Sequence, residues 1–585
     1  MGGTMVTSRI RAARISRSLG TLCVCVVLLL LNAENQVRAA VIATGNPDLK
    51  LNWDNTFKYT SLFRLANPDS ALTADVNQDD GDRNFSRGLV SNRVDFFSEA
   101  DLTFKDNFGI RASVAAWYDS VYNQKNDNES PATTNQLSVA SNRFTRGTID
   151  LMGRHIDPLD AFVFGNFNLG NVPATVRLGR HTVLYGESLF FGSNGIANGQ
   201  APIDYIKLLT VPSSQFKEII RPENQLSVQL QFSPTVTVGF YYQLQWEKTR
   251  VPPVGSYLSN VDFFDNGAER FFVGTTPLVP GGQNPAFFRG RDYTPGQQGQ
   301  GGLQLRLRPG NGNIEYGLYL THYNEKLPYF YIEPSVCAPP ACGPAPVVLD
   351  PARFNPVTGQ VGQLIAVYPK NITALGASVS TVVGDVNVAA EASARFHQPL
   401  VSDPQVVLPG QVADNDRHPA YAVGTTVHAQ ISAVGLLKHS ALWDGGNWLG
   451  EIAWNDRVGT SRNPAAIDPN TTRGAVAVRG VFTMDHYQVL PGLDVSIPVG
   501  LGWNPYGRSS AIFNFNGGTT HGGDVSLGLV AHYNVVWQGG IQFTDFFGKA
   551  GTFLTPANAF GTQVLSYRQT LADRRFVSIS FQRTF

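Results

Sequence analysis

The chain has 585 residues, of which 43% are hydrophobic and 15% charged. Average soluble domains carry roughly 25% charged residues, so much of this surface is not expected to face water. The 45 basic residues are balanced by 45 acidic ones, which excludes the basic stripe of a nucleic-acid-binding protein.

At the start, Arg9, Arg11, Arg14 and Arg17 precede a short apolar run from Leu19 to Leu31. Val37-Arg38-Ala39 then offers small or branched residues at the −3 and −1 positions. This is the layout of a secretory signal peptide. It assigns residues 1–39 to a cleaved leader and 40–585 to one mature domain. The apolar run is shorter than the roughly 20 residues a membrane-spanning helix needs, so a retained anchor is the less favoured reading. Cys23 and Cys25 would leave with the leader. No later stretch approaches about 18 uninterrupted apolar residues, so the mature chain can cross a membrane only as strands.

The first strand is expected over residues 51–65, where Leu51, Trp53, Phe57, Tyr59, Phe63 and Leu65 share one face. Asn52, Asp54, Thr56, Lys58, Thr60 and Arg64 take the other. In a membrane barrel the apolar face meets lipid and the polar face lines the lumen. Next comes an acidic loop, Asp75-Val-Asn77-Gln-Asp79-Asp80-Gly81-Asp82. It resembles a calcium loop, but a residue is inserted before the glycine and the distal Glu is missing. A solvated acidic loop is the favoured reading.

Alternating segments then recur in pairs, each joined by a short turn. They are 92–104 with 108–120, 161–169 with 174–183, 224–232 with 236–248, and 301–308 with 314–323. The remaining pairs are 372–382 with 386–396, 425–437 with 447–457, 475–489 with 494–504, and 524–533 with 537–547. Long polar excursions separate one pair from the next. A last strand over 575–585 ends on Phe585 with Val577, Ile579 and Phe581 on the same face. Short periplasmic turns and long extracellular loops are the mark of a bacterial outer-membrane barrel. The expected fold is therefore all-β: a transmembrane antiparallel β-barrel of about 18 strands, with 16 as the alternative count. A C-terminal aromatic on an alternating strand is the feature read by the barrel-assembly machinery, an expected partner together with outer-membrane lipid. Trp53, Tyr59, Tyr242, Trp246, Trp503, Tyr533 and Trp537 suit interfacial girdles.

A barrel of this width encloses water unless something fills it. The candidate filler is 185–223, which includes charged Glu187, Asp204, Lys207, Lys217, Glu218 and Arg221. Pro202 suits the first turn of a short helix and Ser213 or Ser214 an N-cap. An inward-folded constriction is favoured over a loop that caps the outer mouth. Strand parity puts Arg111, Asp119 and Arg177 on the lumen side. It also places there Arg93, Asp95, Glu99, Asp101, Glu247, Glu391, Arg395, Glu451, Arg479 and Asp485. The mixed signs argue against strong ion selectivity. Further on, Cys337 and Cys342 bracket a proline-rich tetrapeptide, and a disulfide is favoured over a metal site in an exported chain.

No nucleophile elbow, H-E-x-x-H, phosphate loop or dinucleotide fingerprint is present, so neither enzyme activity nor a cofactor is expected. Four stretches carry a family resemblance: Asn77 to Phe85, Arg177-Leu-Gly-Arg180 leading to Tyr185 to Gly192, Val489 to Val495, and Phe543 to Gly548. Together they resemble the domain-of-unknown-function 1302 (DUF1302) family of proteobacterial outer-membrane proteins, across essentially the whole mature chain. The resemblance implies a porin-like barrel. For some members it implies movement of hydrophobic compounds alongside resistance-nodulation-division exporters, hence a periplasmic or inner-membrane transport partner. It supplies no catalytic residue. The expected function is a channel for small organic solutes, hydrophobic or amphipathic ones included. A surface-binding barrel without an open pore is the main alternative, and a lipid-modifying enzyme the weaker one.

Overall fold

The structure is a computed structural model that describes residues 40–585 apart from 43, 131–132, 134–136, 213, 277, 280, 282, 311, 338–346, 349 and 557–562. The leader over residues 1–39 lies outside the described residues.

Eighteen strands form the wall. They are β1 (Leu49–Arg64), β2 (Gly88–Phe104), β3 (Phe108–Asp119), β4 (Arg154–Leu169), β5 (Val172–His181) and β6 (Glu223–Ser233). There follow β7 (Val236–Gln243), β8 (Gln300–Leu307), β9 (Glu315–Tyr323), β10 (Ile372–Val383), β11 (Val386–Pro399) and β12 (Val423–Leu437). The last six are β13 (Gly445–Arg462), β14 (Gly474–Leu490), β15 (Leu493–Gly507), β16 (Gly523–Tyr533), β17 (Trp537–Phe547) and β18 (Phe576–Thr584). Each pairs antiparallel with its chain neighbours, and β1 pairs with β18 from Thr56↔Thr584 to Arg64↔Phe576, closing the cylinder. Closure leaves no open edge in the hydrocarbon. A short strand, Ala40–Ile42, folds back on Leu51–Trp53 outside this ring.

The period-2 pattern decides which side of the wall each residue takes. Phe240, Leu303, Leu320 and Leu375 are cross-strand partners across β7 to β10. All four face outward, with 36%, 47%, 40% and 49% of their surface exposed. Their neighbours one position along, Gly239, Gln304, Tyr319 and Gly376, form the matching inward row. An apolar outer band over a polar interior is what lipid on one side and water on the other demand. Among the described residues no helix is long and apolar enough to cross a membrane.

Turns at one end are short. The β4–β5 and β10–β11 connections use Gly170 and Gly384 at φ +63° and +61°, a backbone region glycine enters without strain. At the other end the long loops fold together. Tyr329–Pro334, Ala286–Arg289 and Arg270–Phe272 join Gln360–Val367 in a small sheet with mixed parallel and antiparallel pairing. Its aromatic filling includes Phe263, Phe271 and Phe330.

Several boundaries depart from expectation. Strand β4 begins at Arg154, seven residues before the expected start at 161, because a register shift opposite Ala112/Val114 absorbs Pro158. Strand β7 ends at Gln243, which leaves Trp246 and Glu247 in a loop, not on the wall. Trp246 is accordingly buried, 5.0 Å from Tyr368, and forms no part of an interfacial girdle. Pro202 precedes the first short helix of the 185–223 segment, Tyr205–Thr210, and that helix is capped by Asp204. Ser214 does not cap the second, Phe216–Ile219, whose N-cap is Gln215; Ser213 lies outside the described residues.

Candidate functional site

Residues 182–222 leave the wall at β5 and return at β6, two strands that pair with each other. The chain between them does not stay at that seam. It reaches β11, β12 and β13, on the far side of the ring. Glu451 on β13 accepts hydrogen bonds from the amides of Leu189, Phe190 and Phe191 at 3.2, 2.5 and 2.9 Å. Glu391 on β11 accepts from the amides of Glu187 and Ile196 at 2.6 and 2.9 Å, and from Gln430 Nε2 at 2.9 Å. Arg395 donates to the carbonyls of Ser193 and Gly195, both at 2.9 Å. Asn194 donates to Gln430 Oε1 at 3.1 Å and accepts from Asn455 Nδ2 at 3.2 Å.

A segment without regular structure must place its buried amides somewhere. Here two wall carboxylates take five of them as charge-assisted bonds. Glycines in the wall make the close approach. A Cβ at Gly376 would lie 2.7 Å from the Ile196 side chain, and one at Gly239 would lie 3.0 Å from the Tyr185 hydroxyl. Tyr185 stacks edge-on against Tyr241 at 5.3 Å, and Phe191 packs on Phe515 at 5.8 Å.

The second half of the segment is held by ion pairs to the near wall and to the loop that follows β7. Asp204 accepts from the amide of Lys207 at 2.9 Å and pairs with Arg250 at 2.7 Å. Glu218 accepts from the Gln215 amide at 2.9 Å and pairs with Lys58 of β1 at 2.5 Å, both side chains buried. Lys217 pairs with Glu99, which also holds Arg111 at 2.5 Å. Arg221 lies 3.0 Å from Glu247 and 3.6 Å from Asp157. The Lys207 ammonium is buried 5.0 Å from the Trp117 ring, whose other side chain neighbours include Arg93 at 4.6 Å. Glu187 pairs with Arg306 at 3.3 Å.

Several of the wall residues singled out by parity are not brought to the segment, among them Asp119, Arg177, Arg479, which pairs with Asp524, and Asp485, which accepts from Ser496. Asp119 closes the extracellular end of β3, accepting from Ser91 Oγ at 2.5 Å and from the amides of Asn92 and Val121. Arg177 is exposed, 5.9 Å from Phe162. Parity placed Glu391, Arg395 and Glu451 inside, but only tertiary structure shows them gripping the segment; Asn194 and Gln430 carry no signal in the sequence. Cys337 is disulfide-bonded; Cys342 lies outside the described residues.

The acidic loop over 75–82 is not solvated. Asp79, Asp80 and Asp82 are all buried, because residues 256–262 and the loop before β18 lie over them. Asp82 pairs with Arg574 at 2.6 Å and Arg64 at 2.8 Å.

The extracellular loops also hold an acid-sensitive carboxyl. Burial, and secondarily the Asp468 carboxylate, push Asp403 up to about 6. Its folded pKa lies above the unfolded one, so the fold binds the extra proton. Stability should therefore rise as pH falls from 7 through 6 toward 4. The thermal transition should be higher at pH 5 than at pH 7.5, and Asp403→Asn should reduce the difference. An equal pH response in that variant would show that Asp403 is not the group responsible.

The cylinder, its lipid-facing band and the segment tethered between its walls define a transmembrane β-barrel of the outer-membrane type. The chain belongs to the family described as a protein of unknown function, DUF1302, which matches residues 20–585. No curated relative matches it in sequence. Among solved structures it is similar to Acinetobacter baumannii OccAB2, at 8% identity and TM-score 0.39, covering 92% of this chain and 98% of that one. It is similar to a BenF-like porin from Pseudomonas fluorescens at the same identity, TM-score and coverage. Pseudomonas aeruginosa OpdK, solved with vanillate, has 9% identity, TM-score 0.35 and the same coverage. These likenesses are distant.

Proposed function

We propose that the protein is an outer-membrane channel for small organic solutes, narrowed by the segment 185–223. The observation that carries this is the tether across the lumen, by which Glu391 and Glu451 hold a loop from β5–β6 against the opposite wall. A loop that only capped the mouth would not need acceptors on wall strands that far round the ring. The lumen charges are largely neutralised in pairs, as with Glu218–Lys58 and Lys217–Glu99. Such a pore favours amphipathic or weakly charged solutes over a strongly selected ion.

Among the described residues an enzymatic reading has one serine–histidine hydrogen bond to draw on. His181 Nε2 lies 2.8 Å from Ser227 Oγ, but its Nδ1 meets the Gly179 carbonyl and not a carboxylate. The orienting acid of a hydrolytic triad is not in place.

Planar-bilayer recording on the refolded mature chain tests the proposal. Discrete, salt-dependent steps are expected. Silence from a barrel shown to be folded would refute a water-filled pore and favour the surface-binding reading, for which the folded extracellular loops offer the surface.

A further inference from the structure

We propose that Asp79, Asp80 and Asp262 bind one calcium ion, which clamps the loop after β1 to the loop between β7 and β8. The three residues offer carboxylate oxygens that all lie within 4.8 Å of one another. Calcium binds oxygens at 2.3–2.6 Å, so two ligands of one ion stand up to about 5.2 Å apart. The cluster fits that span without rearrangement.

A second observation points to a ligand. Asp79 Oδ1 and Asp262 Oδ1 are buried and accept no hydrogen bond from any described residue. Their partner oxygens are already engaged: Asp79 Oδ2 takes Arg83 Nε at 2.5 Å, and Asp262 Oδ2 takes the Asp80 amide at 2.9 Å. A buried carboxylate oxygen left in this way is costly unless a cation or proton meets it.

Beneath the cluster, Arg64 and Arg574 are matched by Asp82 and Asp573. Within it, Arg83 pairs with Asp79. Three carboxyl groups this close together in a dry site repel one another unless a cation or a proton lies between them. Burial pushes Asp79 up to about 6 and Asp262 well above the usual carboxylate range, chiefly by desolvation. An all-oxygen, carboxylate set selects a hard cation. Magnesium keeps several of its waters, whereas calcium exchanges them for protein oxygens in flexible geometry; the buried site favours calcium.

The frame around the site is built. Asp262 donates its amide to the Asn77 carbonyl at 2.9 Å, and Asn77 exchanges two side-chain hydrogen bonds with the backbone of Phe272 at 3.1 and 2.7 Å. The two loops therefore meet in fixed register, with Asp79 and Asp80 on one and Asp262 on the other.

The test is calorimetric titration of the full mature barrel, refolded in detergent and stripped with chelator, using calcium chloride. One saturable site per chain is expected, together with a rise in the thermal transition on adding calcium. Asp262→Asn and Asp79→Asn should each weaken binding on the order of 100-fold. Asp106→Asn, on the β2–β3 turn at the opposite end, should bind as wild type. Heat-modifiability on gels reports whether each variant folds. Absence of saturable calcium binding to the folded wild type would overturn the proposal, whatever the variants do. So would wild-type affinity in either folded variant.

Discussion

Deleting residues 190–220 should raise single-channel conductance several-fold. The deletion removes most of the chain that crosses from β5–β6 to β11–β13, and with it Ile196, Phe191 and the two short helices. A single substitution should give a graded form of the same effect. Glu451→Ala withdraws the acceptor for three consecutive amides, Leu189 to Phe191. Each amide left unpaired costs about 1–3 kcal/mol, so the tether should detach part of the time and appear as flicker between two conductance levels. Unchanged conductance in a folded deletion would show that the segment is not the constriction.

Replacing Arg574 by alanine should be the most destabilising single change in the extracellular half. Its guanidinium lies 2.6 Å from Asp82 and 3.3 Å from Asp573, and also donates to the carbonyls of Tyr257 and Ser259. All of the charged partners are buried, including Arg64, which pairs with the same two aspartates. Removing one member of a buried network leaves an uncompensated charge and costs about 3–5 kcal/mol. Arg574→Lys should recover only part of this, since an ammonium cannot reproduce the fork that reaches both carboxylates and carbonyls. Thermal unfolding followed by near-ultraviolet circular dichroism checks both. A shift equal to that of an exposed control such as Lys438→Ala would refute the assignment.

The wall was readable because its chemistry is local. A strand with lipid on one face and water on the other must alternate, and each short turn advertises itself through Gly, Pro, Asn or Asp. Hence all the hairpins fall where alternation put them, and the errors sit at ends. Pro158 concealed the start of β4, since proline inside a run argues against a strand until a register irregularity accommodates it. The small extracellular sheet left no comparable trace. Ala286–Arg289 is only four residues long and pairs in parallel with Gln360–Val367, a partner no local pattern could supply. The lumen shows the same division. Parity assigns Glu391 and Glu451 a direction, but their five amide donors lie 195 to 262 positions away in sequence. The acidic loop was misread for a related reason: its burial depends on Tyr257, Ser259 and Arg574, which belong to two other loops.

The seam between β1 and β18 sets an order of events during biogenesis. Arg64 and Asp573 are separated by 509 positions, so that ion pair can form only after the whole chain has been delivered. The lumen segment faces the same constraint on a smaller scale. Its amides 187–196 come from the β5–β6 connection and their carboxylate acceptors from β11 and β13, so both parts of the ring must be in place before it docks. Docking of the segment is therefore a late step that reports a nearly complete wall. A chain truncated before β11 would leave the segment with no place to settle and five of its amides without their carboxylate acceptors.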